Sequence, residues 1–335
     1  MSAGDFLHKD AKTPLCEYYT AAGATCRLTT NSESLLQAAR ESFVQIEPPS
    51  DAPDFSLRFW IDDRDPTQPP WPKPYVRGLS HLVFVGLNPR SSMLANLSSR
   101  HVIGRFSAAL GTDTAYWRMI AFPILLSVLS GSVRLVELHG SCVARGRRGL
   151  ILVGPSRSGK STLALALAQV GFRLLSDDRT FCSWKNGRLV ASGLSRPIKL
   201  RREAAQWFEE LHGREPNDVQ NGERVFHCDP NRWNGMQPNP ECEPALILFL
   251  EREEGSRFEM GPMNRNEARL CLEQDLLAEA PDALQIQSDI LMRLLSLDCR
   301  RLRYGGRPQE IAERITASFA MNSDCQFEGA TPFLT

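Results

Sequence analysis

The stretch LILVGPSRSGKSTLALALAQVGFRLLSDD, residues 150–178, decides how this chain is read. The apolar run LILVG reads as a buried strand that stops at a glycine. STLALALAQVG follows as an alanine- and leucine-rich helix ended by Gly171, a natural residue just past a helix terminus. FRLLSDD is a short strand closing on Asp177 and Asp178. Between the first strand and the helix lie Gly154, Pro155, Ser156, Arg157, Ser158, Gly159, Lys160 and Ser161, which fit G-x-x-x-x-G-K-[ST] at every fixed position. Glycines there let the backbone curl so that successive N–H groups point inward, and the following helix adds its positive end. Such a loop is built to hold phosphates, so ATP or another nucleoside triphosphate is the expected ligand. Lys160 is expected to meet the terminal phosphates as a mobile charge, Ser161 to place its hydroxyl on Mg²⁺, and Thr162 to support the first helical turn.

The acids arrive soon after the loop. Asp177 and Asp178 follow Ser161 by 16 and 17 residues, about one helix and one strand later. A helix of that length followed by an antiparallel return brings the strand's end back beside the phosphates. One of the carboxylates of Asp177 and Asp178 can then accept the proton of an attacking hydroxyl while the other assists the metal, as phosphoryl transfer requires. A solvated Asp-Asp-Arg turn is the plainer alternative. A transporter ATPase would carry an LSGGQ-like signature and a GTPase an N/T-K-x-D base reader, and neither pattern occurs.

The rest of the chain supplies context. The 335 residues allow more than one domain. Lys plus Arg and Asp plus Glu are both 39, so no polybasic surface for bulk nucleic acid or anionic lipid is expected. The opening residues lack the apolar core of a secretory signal. The run MIAFPILLSVL, 119–129, is too short by itself for a bilayer and reads as a buried helix bent or begun near Pro123. Nine scattered cysteines without CxxC spacing fit reduced thiols, so a cytoplasmic location is expected, with no nucleic-acid or membrane partner.

Proline-rich segments at 47–54 and 65–74 read as loops flanking a strand, FSLRFWID, with HLVFVGL as another. Residues 92–110 and 114–130 follow with helical spacing. The expectation is a small α+β unit over 1–130, without visible chemistry and available for substrate recognition. An α/β catalytic unit over 131–320 and a tail over 321–335 follow it. Within the second unit VRLVELHGSCVA, ALILFLE and CRRLRY read as strands, REAAQWFEELHG and PQEIAERITASF as helices, and RLVASGLSRPIKLR as extended.

These residues carry a resemblance. His139-Gly140, a turn, then LILVGPSRSGKSTLALALAQVGFRLLSDD is similar to the catalytic core of the HPr serine kinase/phosphorylase family, best over 133–178. The resemblance implies the fold shared with phosphoenolpyruvate carboxykinases, a twisted α/β sheet with an unusual phosphate loop, preceded here by the α+β unit. It implies Asp178 as general base for an acceptor hydroxyl, Asp177 as its acidic neighbour and His139 as an active-site histidine. His139 alone reads as a half-buried strand residue. The loop ends in GKST where the family has GKSE, and SGLSRPIKLR lacks the glutamate of the family's E-x-R-G segment, so the reverse, dephosphorylating activity is not carried over.

The chain also resembles HPr-kinase-related proteins encoded with ribosomally made peptides, including lasso-peptide tailoring kinases. The implied activity is ATP- and Mg²⁺-dependent phosphorylation of a serine hydroxyl on a peptide or small protein. The alternatives are a small-molecule kinase of the same fold and a non-catalytic nucleotide-binding regulator. Arg196, Lys199 and Arg224 stand as substrate or phosphate contacts, each with a solvated loop charge as the plainer reading. Family members often form hexamers, which implies a homo-oligomer.

Overall fold

The computed structural model describes residues 12–62, 66–194, 197–216, 218–220, 223–228, 241–274, 276 and 281–324. Among them, two large sheets and a small one organise the chain. The first sheet takes β1 (Leu15–Ala21), β2 (Ala24–Thr30), β3 (Val44–Ile46), β4 (Phe55–Asp62), β5 (Tyr75–Leu79), β6 (Leu82–Asn88), β7 (Ser91–Asn96) and β8 (His101–Ser107). Their spatial order is β3-β1-β2-β4-β8-β7-β6-β5, parallel only where β4 meets β2 and β8.

Alternation explains which face of this sheet is covered. In β4, Phe55, Leu57, Phe59 and Ile61 are buried while Ser56, Arg58 and Trp60 stay partly open. The buried face meets α1 (Glu33–Ser42), whose start is capped by Ser32 accepting from the Leu35 N–H at 3.3 Å. It also meets a helical run built from α2 (Ala108–Thr112), α3 (Thr114–Tyr116), a π-turn at Trp117–Ala121 and α4 (Phe122–Leu129). Trp117 is the hub, with ring centroids 4.8 Å from Phe106, 5.1 Å from Phe122 and 5.6 Å from Phe59. Its indole N–H donates to the Leu110 carbonyl at 2.9 Å, so burial leaves no donor stranded.

Pro123 stands in the first turn of α4, directly after the π-turn, so the residue without an N–H falls where the helical hydrogen-bond pattern changes. With its flanks the helical run reaches 20 residues, 114–133, long and apolar enough by length and composition to cross a bilayer. Its apolar side is spent on the sheet, through Phe122, Leu125, Leu126 and Leu129.

The helical reading of 92–110 is overturned over 92–107. Those residues form β7 and β8, joined by a turn, and only 108–112 is helical. Met93 and Ala95 face the core and Ser92 and Leu94 do not, a period of two that the Leu and Ala spacing masks.

The second assembly is wound around β9 (Val136–Arg145) and β10 (Arg148–Val153), followed by α5 (Lys160–Gln169), β11 (Arg173–Ser176), β12 (Arg179–Lys185) and β13 (Arg188–Ser192). A three-stranded sheet of β14 (Ile198–Arg201), β15 (Asp218–Gln220) and β16 (Glu223–Cys228) adjoins it. Then come β17 (Glu241–Arg252), β18 (Phe258–Pro262), α6 (Arg265–Glu273), α7 (Pro281–Leu294), β19 (Asp298–Tyr304) and α8 (Pro308–Asp324).

β10 runs parallel to β17, and β17 parallel to β19, while β9 is antiparallel to β10, β11 and β12. Because β12 pairs with β13 and β13 with β17, the strands β9, β10, β17, β13 and β12 close a ring of pairings. β10 is covered on both faces, Leu150 and Leu152 by the core that includes α5 and α8 and Ile151 and Val153 by the core that includes α6 and α7. That double burial is why its sequence is an unbroken apolar run. The helix expected at 202–213 is instead two 3₁₀ turns, Arg202–Trp207 and Glu209–Leu211, broken at Phe208 by extended backbone with φ −127° and ψ 109°.

The two assemblies share a seam. Phe181 and Leu194 belong to the first core, the Ser192 hydroxyl donates to the Ala22 carbonyl at 2.7 Å, and Lys185 donates to the Gly23 carbonyl. Among the described residues every cysteine is a free thiol.

Candidate active site

The glycine loop leaves the end of β10 and enters α5 at Lys160. Its two glycines answer to different constraints. At Gly154 a Cβ would stand 2.7 Å from the Ser158 hydroxyl and 3.0 Å from the Leu250 carbonyl, so the strand end fits only without a side chain. Gly159 caps α5 at φ +89°, and a Cβ there would meet the Tyr304 hydroxyl at 2.3 Å. Tyr304 donates that hydroxyl to the Ser158 carbonyl at 2.6 Å, bracing the loop from β19. Burial pushes its phenol up to about 12, so it stays a neutral donor at physiological pH.

Within the loop, the Ser158 N–H donates to Pro155 at 3.1 Å, while Pro155, Ser156 and Arg157 form an exposed tip with Arg157 at φ +72°. Lys160 is buried, and its ammonium is turned inward onto the Gly154 and Pro155 carbonyls at 2.6 and 3.2 Å. The Ser158 hydroxyl is buried with no hydrogen-bond partner among the described residues. A buried hydroxyl without a partner is costly, and an incoming anion relieves the cost. Ser161 and Thr162 are half-buried in the first turn of α5. The loop therefore fits a bound polyphosphate: a tight glycine backbone, an orphaned hydroxyl and an ammonium already drawn to oxygens.

The acids lie across β9 from the loop. Val153, the last strand residue before the loop, pairs with Gly140, and Ser176, the last of β11, pairs with Cys142. On its other flank β9 changes partner, from β11 at 142–144 to β12 at 136–139. Asp177 and Asp178 occupy that gap, opposite Gly140 and Ser141. Gly140 donates its N–H to the Asp178 carbonyl at 3.1 Å and accepts from the Thr180 hydroxyl at 2.8 Å. Neighbouring strands are about 5 Å apart, so the acid turn starts about 10 Å from the head of the loop. Gly140 is forced to be glycine, since a Cβ would lie 2.6 Å from the Leu152 carbonyl.

The two carboxylates have different surroundings. Asp177 is buried, with one oxygen accepting from the Ser141 hydroxyl at 3.1 Å and the other from the Lys199 backbone N–H at 3.2 Å. Asp178 is half-exposed, with Oδ1 3.1 Å from Nε2 of an equally exposed His139. Its backbone is held at φ +72° while the Arg179 N–H bonds the Asp177 carbonyl at 2.9 Å, the pattern of a γ-turn with positive φ. Such a turn costs a non-glycine residue of order 1–3 kcal/mol and collects at functional sites.

Of the three cations expected nearby, Lys199 is brought to the acids through its backbone. Arg196 lies outside the described residues. Arg224 is exposed on β16, three residues before His227, the register partner of Lys199, and so roughly 10 Å further along the strand. Among the described residues there is no cluster of three or more His, Cys, Asp or Glu, so a metal would take few protein ligands, drawn from the Ser161 hydroxyl and the acid turn. Sequence reasoning missed Ser141, which anchors Asp177, and Tyr304, which braces the loop. Ser141 directly follows His139-Gly140 and could have been found there. Tyr304 arrives from 146 residues away and leaves no local trace.

No protein family and no curated protein matches the chain. Among solved structures, the chain is similar to the Hpr(Ser) kinase/phosphatase from Coxiella burnetii, at 15% identity over 58% of this chain and 99% of that one, with a TM-score of 0.29. A superposition that loose carries no weight for fold or chemistry.

Proposed function

We propose that this protein is an ATP- and Mg²⁺-dependent phosphotransferase that phosphorylates a serine hydroxyl of a peptide or small protein. The observation that carries the reading is Asp178, half-exposed beside His139 on a strained turn clamped to Gly140, one strand from the glycine loop. MgATP supplies the phosphoryl group and neutralises charge at the phosphates. Lys160 lets go of the loop carbonyls and meets phosphate oxygens, Ser158 donates its orphaned hydroxyl, and Ser161 offers its own to the metal. Asp178 takes the proton of the acceptor hydroxyl as the O–P bond forms and the bond to the leaving diphosphate breaks. His139 orients that carboxylate, and Asp177 holds the turn through Ser141 and the Lys199 amide. A precursor peptide made by the ribosome, of the lasso kind, is the acceptor that the sequence resemblance favours.

The test is incubation with MgATP and serine-containing peptides, read by intact mass as a gain of about 80 Da for each phosphate. Transfer that is lost in Asp178→Asn while ATP binding persists supports the proposal. ATP binding equal in both proteins, with no transfer to any peptide or small hydroxyl compound, favours a nucleotide-binding regulator instead.

A further inference from the structure

The first sheet ends in an edge that nothing in the described chain covers. β5 pairs only with β6, and all five of its residues are exposed. Half of its N–H and C=O groups therefore turn away from β6 into solvent, a ready template for another extended segment. The side chains along it are apolar beyond what an edge usually tolerates: Leu79 is 78% exposed, Tyr75 49% and Val76 41%, with Phe84 of β6 beside them. Tyr75 lies flat over Gly86, where a Cβ would meet its ring at 2.3 Å, and its ring centroid is 5.8 Å from that of Phe84.

Charge decides what such an edge receives. The whole chain is neutral, yet from Pro66 to Thr112 it contains no Asp or Glu, while Lys73, Arg77, Arg90, Arg100 and Arg105 all lie within that stretch. Arg105 is matched by Asp62 of β4 at 2.6 Å. Lys73 and Arg77 belong to β5 and its approach, and Arg77 stands opposite Phe84. A second copy of this edge is a poor occupant: antiparallel pairing about the middle of β5 sets Arg77 against Arg77, a like-charge contact. An extended segment with an acidic residue flanked by apolar residues at a spacing of two satisfies all three features, because Tyr75, Arg77 and Leu79 share one face with Phe84: the open backbone, the exposed rings and the cation between them.

We propose that β5 is the docking edge for an acidic, partly apolar peptide segment that adds as a further antiparallel or parallel strand. This inference does not rest on phosphoryl transfer, and the experiment needs no nucleotide. A fluorescent peptide carrying Glu, with Val and Phe two residues to either side of it, is titrated into the full chain, next to its Lys counterpart, and amide hydrogen exchange is followed over 75–79. The expected result is binding of the Glu peptide alone, with exchange slowed in β5. The double variant Lys73→Glu/Arg77→Glu, whose thermal unfolding should match the parent's, weakens binding by about tenfold or more.

Arg77→Gln, a milder change, gives an intermediate loss. The proposal is overturned by equal binding of both peptides, by affinity untouched in both variants, or by slowed exchange elsewhere than β5. Co-sedimentation with phosphatidylserine vesicles in the absence of peptide binding overturns it in favour of a lipid surface. Concentration-dependent dimerisation that protects β5 overturns it in favour of a second copy.

Discussion

The two large sheets obey the same rule of alternation and break it in different places. The first sheet is regular through its middle, where Phe59 and Phe106 set their rings against Trp117 in one core with Leu57 and Val102, and among the described residues its margin β5 pairs on one side only. The strand ring of the second assembly closes on itself and gathers a cluster of irregularities where β10 leaves for the glycine loop. There lie a positive-φ aspartate, a buried hydroxyl without a partner, an inward-turned lysine and glycines with no room for a Cβ. The lesson is that the first sheet joins its strand pairing to one continuous apolar core, whereas the ring tolerates local strain because pairing on both sides of β9 over-determines it. The aromatic hub of the first core and the proposed site are separated along the chain, and substitutions should separate their effects too.

The sharpest break of that comparison is at Asp178. Asp178→Asn keeps the turn and its backbone bonds, and should lower transfer by about 10²–10⁴-fold while the unfolding temperature stays near the parent's. A comparable loss of stability would mean that the acid is structural. Next in size is Trp117→Ala, which empties the hub of the first core. It should cost about 3–5 kcal/mol in denaturant unfolding, with ATP affinity of the remaining folded protein unchanged. A fall in ATP affinity would show that the two assemblies do not act separately.

Smaller and more diagnostic is Ser158→Ala. Removing a buried hydroxyl that lacks a partner should raise the stability of the nucleotide-free protein by about 1 kcal/mol and weaken ATP binding, two changes of opposite sign. Equal effects on both would contradict the role given to that hydroxyl.

The smallest effect is expected at His101 in the first sheet, whose Nδ1 lies 2.7 Å from the Ser56 hydroxyl. Burial first and Arg58 second hold this imidazole below its ordinary value. As pH falls through about 6.5 the unfolded chain takes up the proton before the folded one does, so stability drops from there down to the folded value and no further. His101→Gln should flatten that part of a stability–pH profile. An unchanged slope would assign it to other groups.

Much of the candidate site was legible because it is contiguous. Strand, glycine loop, helix, strand and acids all lie within 150–178, and each is specified by near neighbours: a double-faced apolar run, glycines before Lys160, and Gly171 after the helix. The first sheet was read less well. Leucine and alanine in 91–107 satisfy a period of 3.6 about as well as a period of two, and only pairing with β6 and β4 selects the strand. At 202–211 the sequence has helical composition, but the chain turns extended at Phe208, which is fully buried with Leu200 and Phe226 in one core.

From the amino acids alone come the loop, its helix and the arrival of two acids one strand later, since each depends on φ preferences and periodicities spanning only a few residues. Tertiary structure alone decided how the surroundings of the two acids differ. Ser141 and the Lys199 amide reach Asp177 across β9 and from β14, and so leave Asp178 to His139. It also decided that Tyr304 braces the loop and that β5 is an edge among the described strands. These outcomes follow from which strands become neighbours, and that is settled by burying apolar faces over the whole chain rather than by any local run of residues.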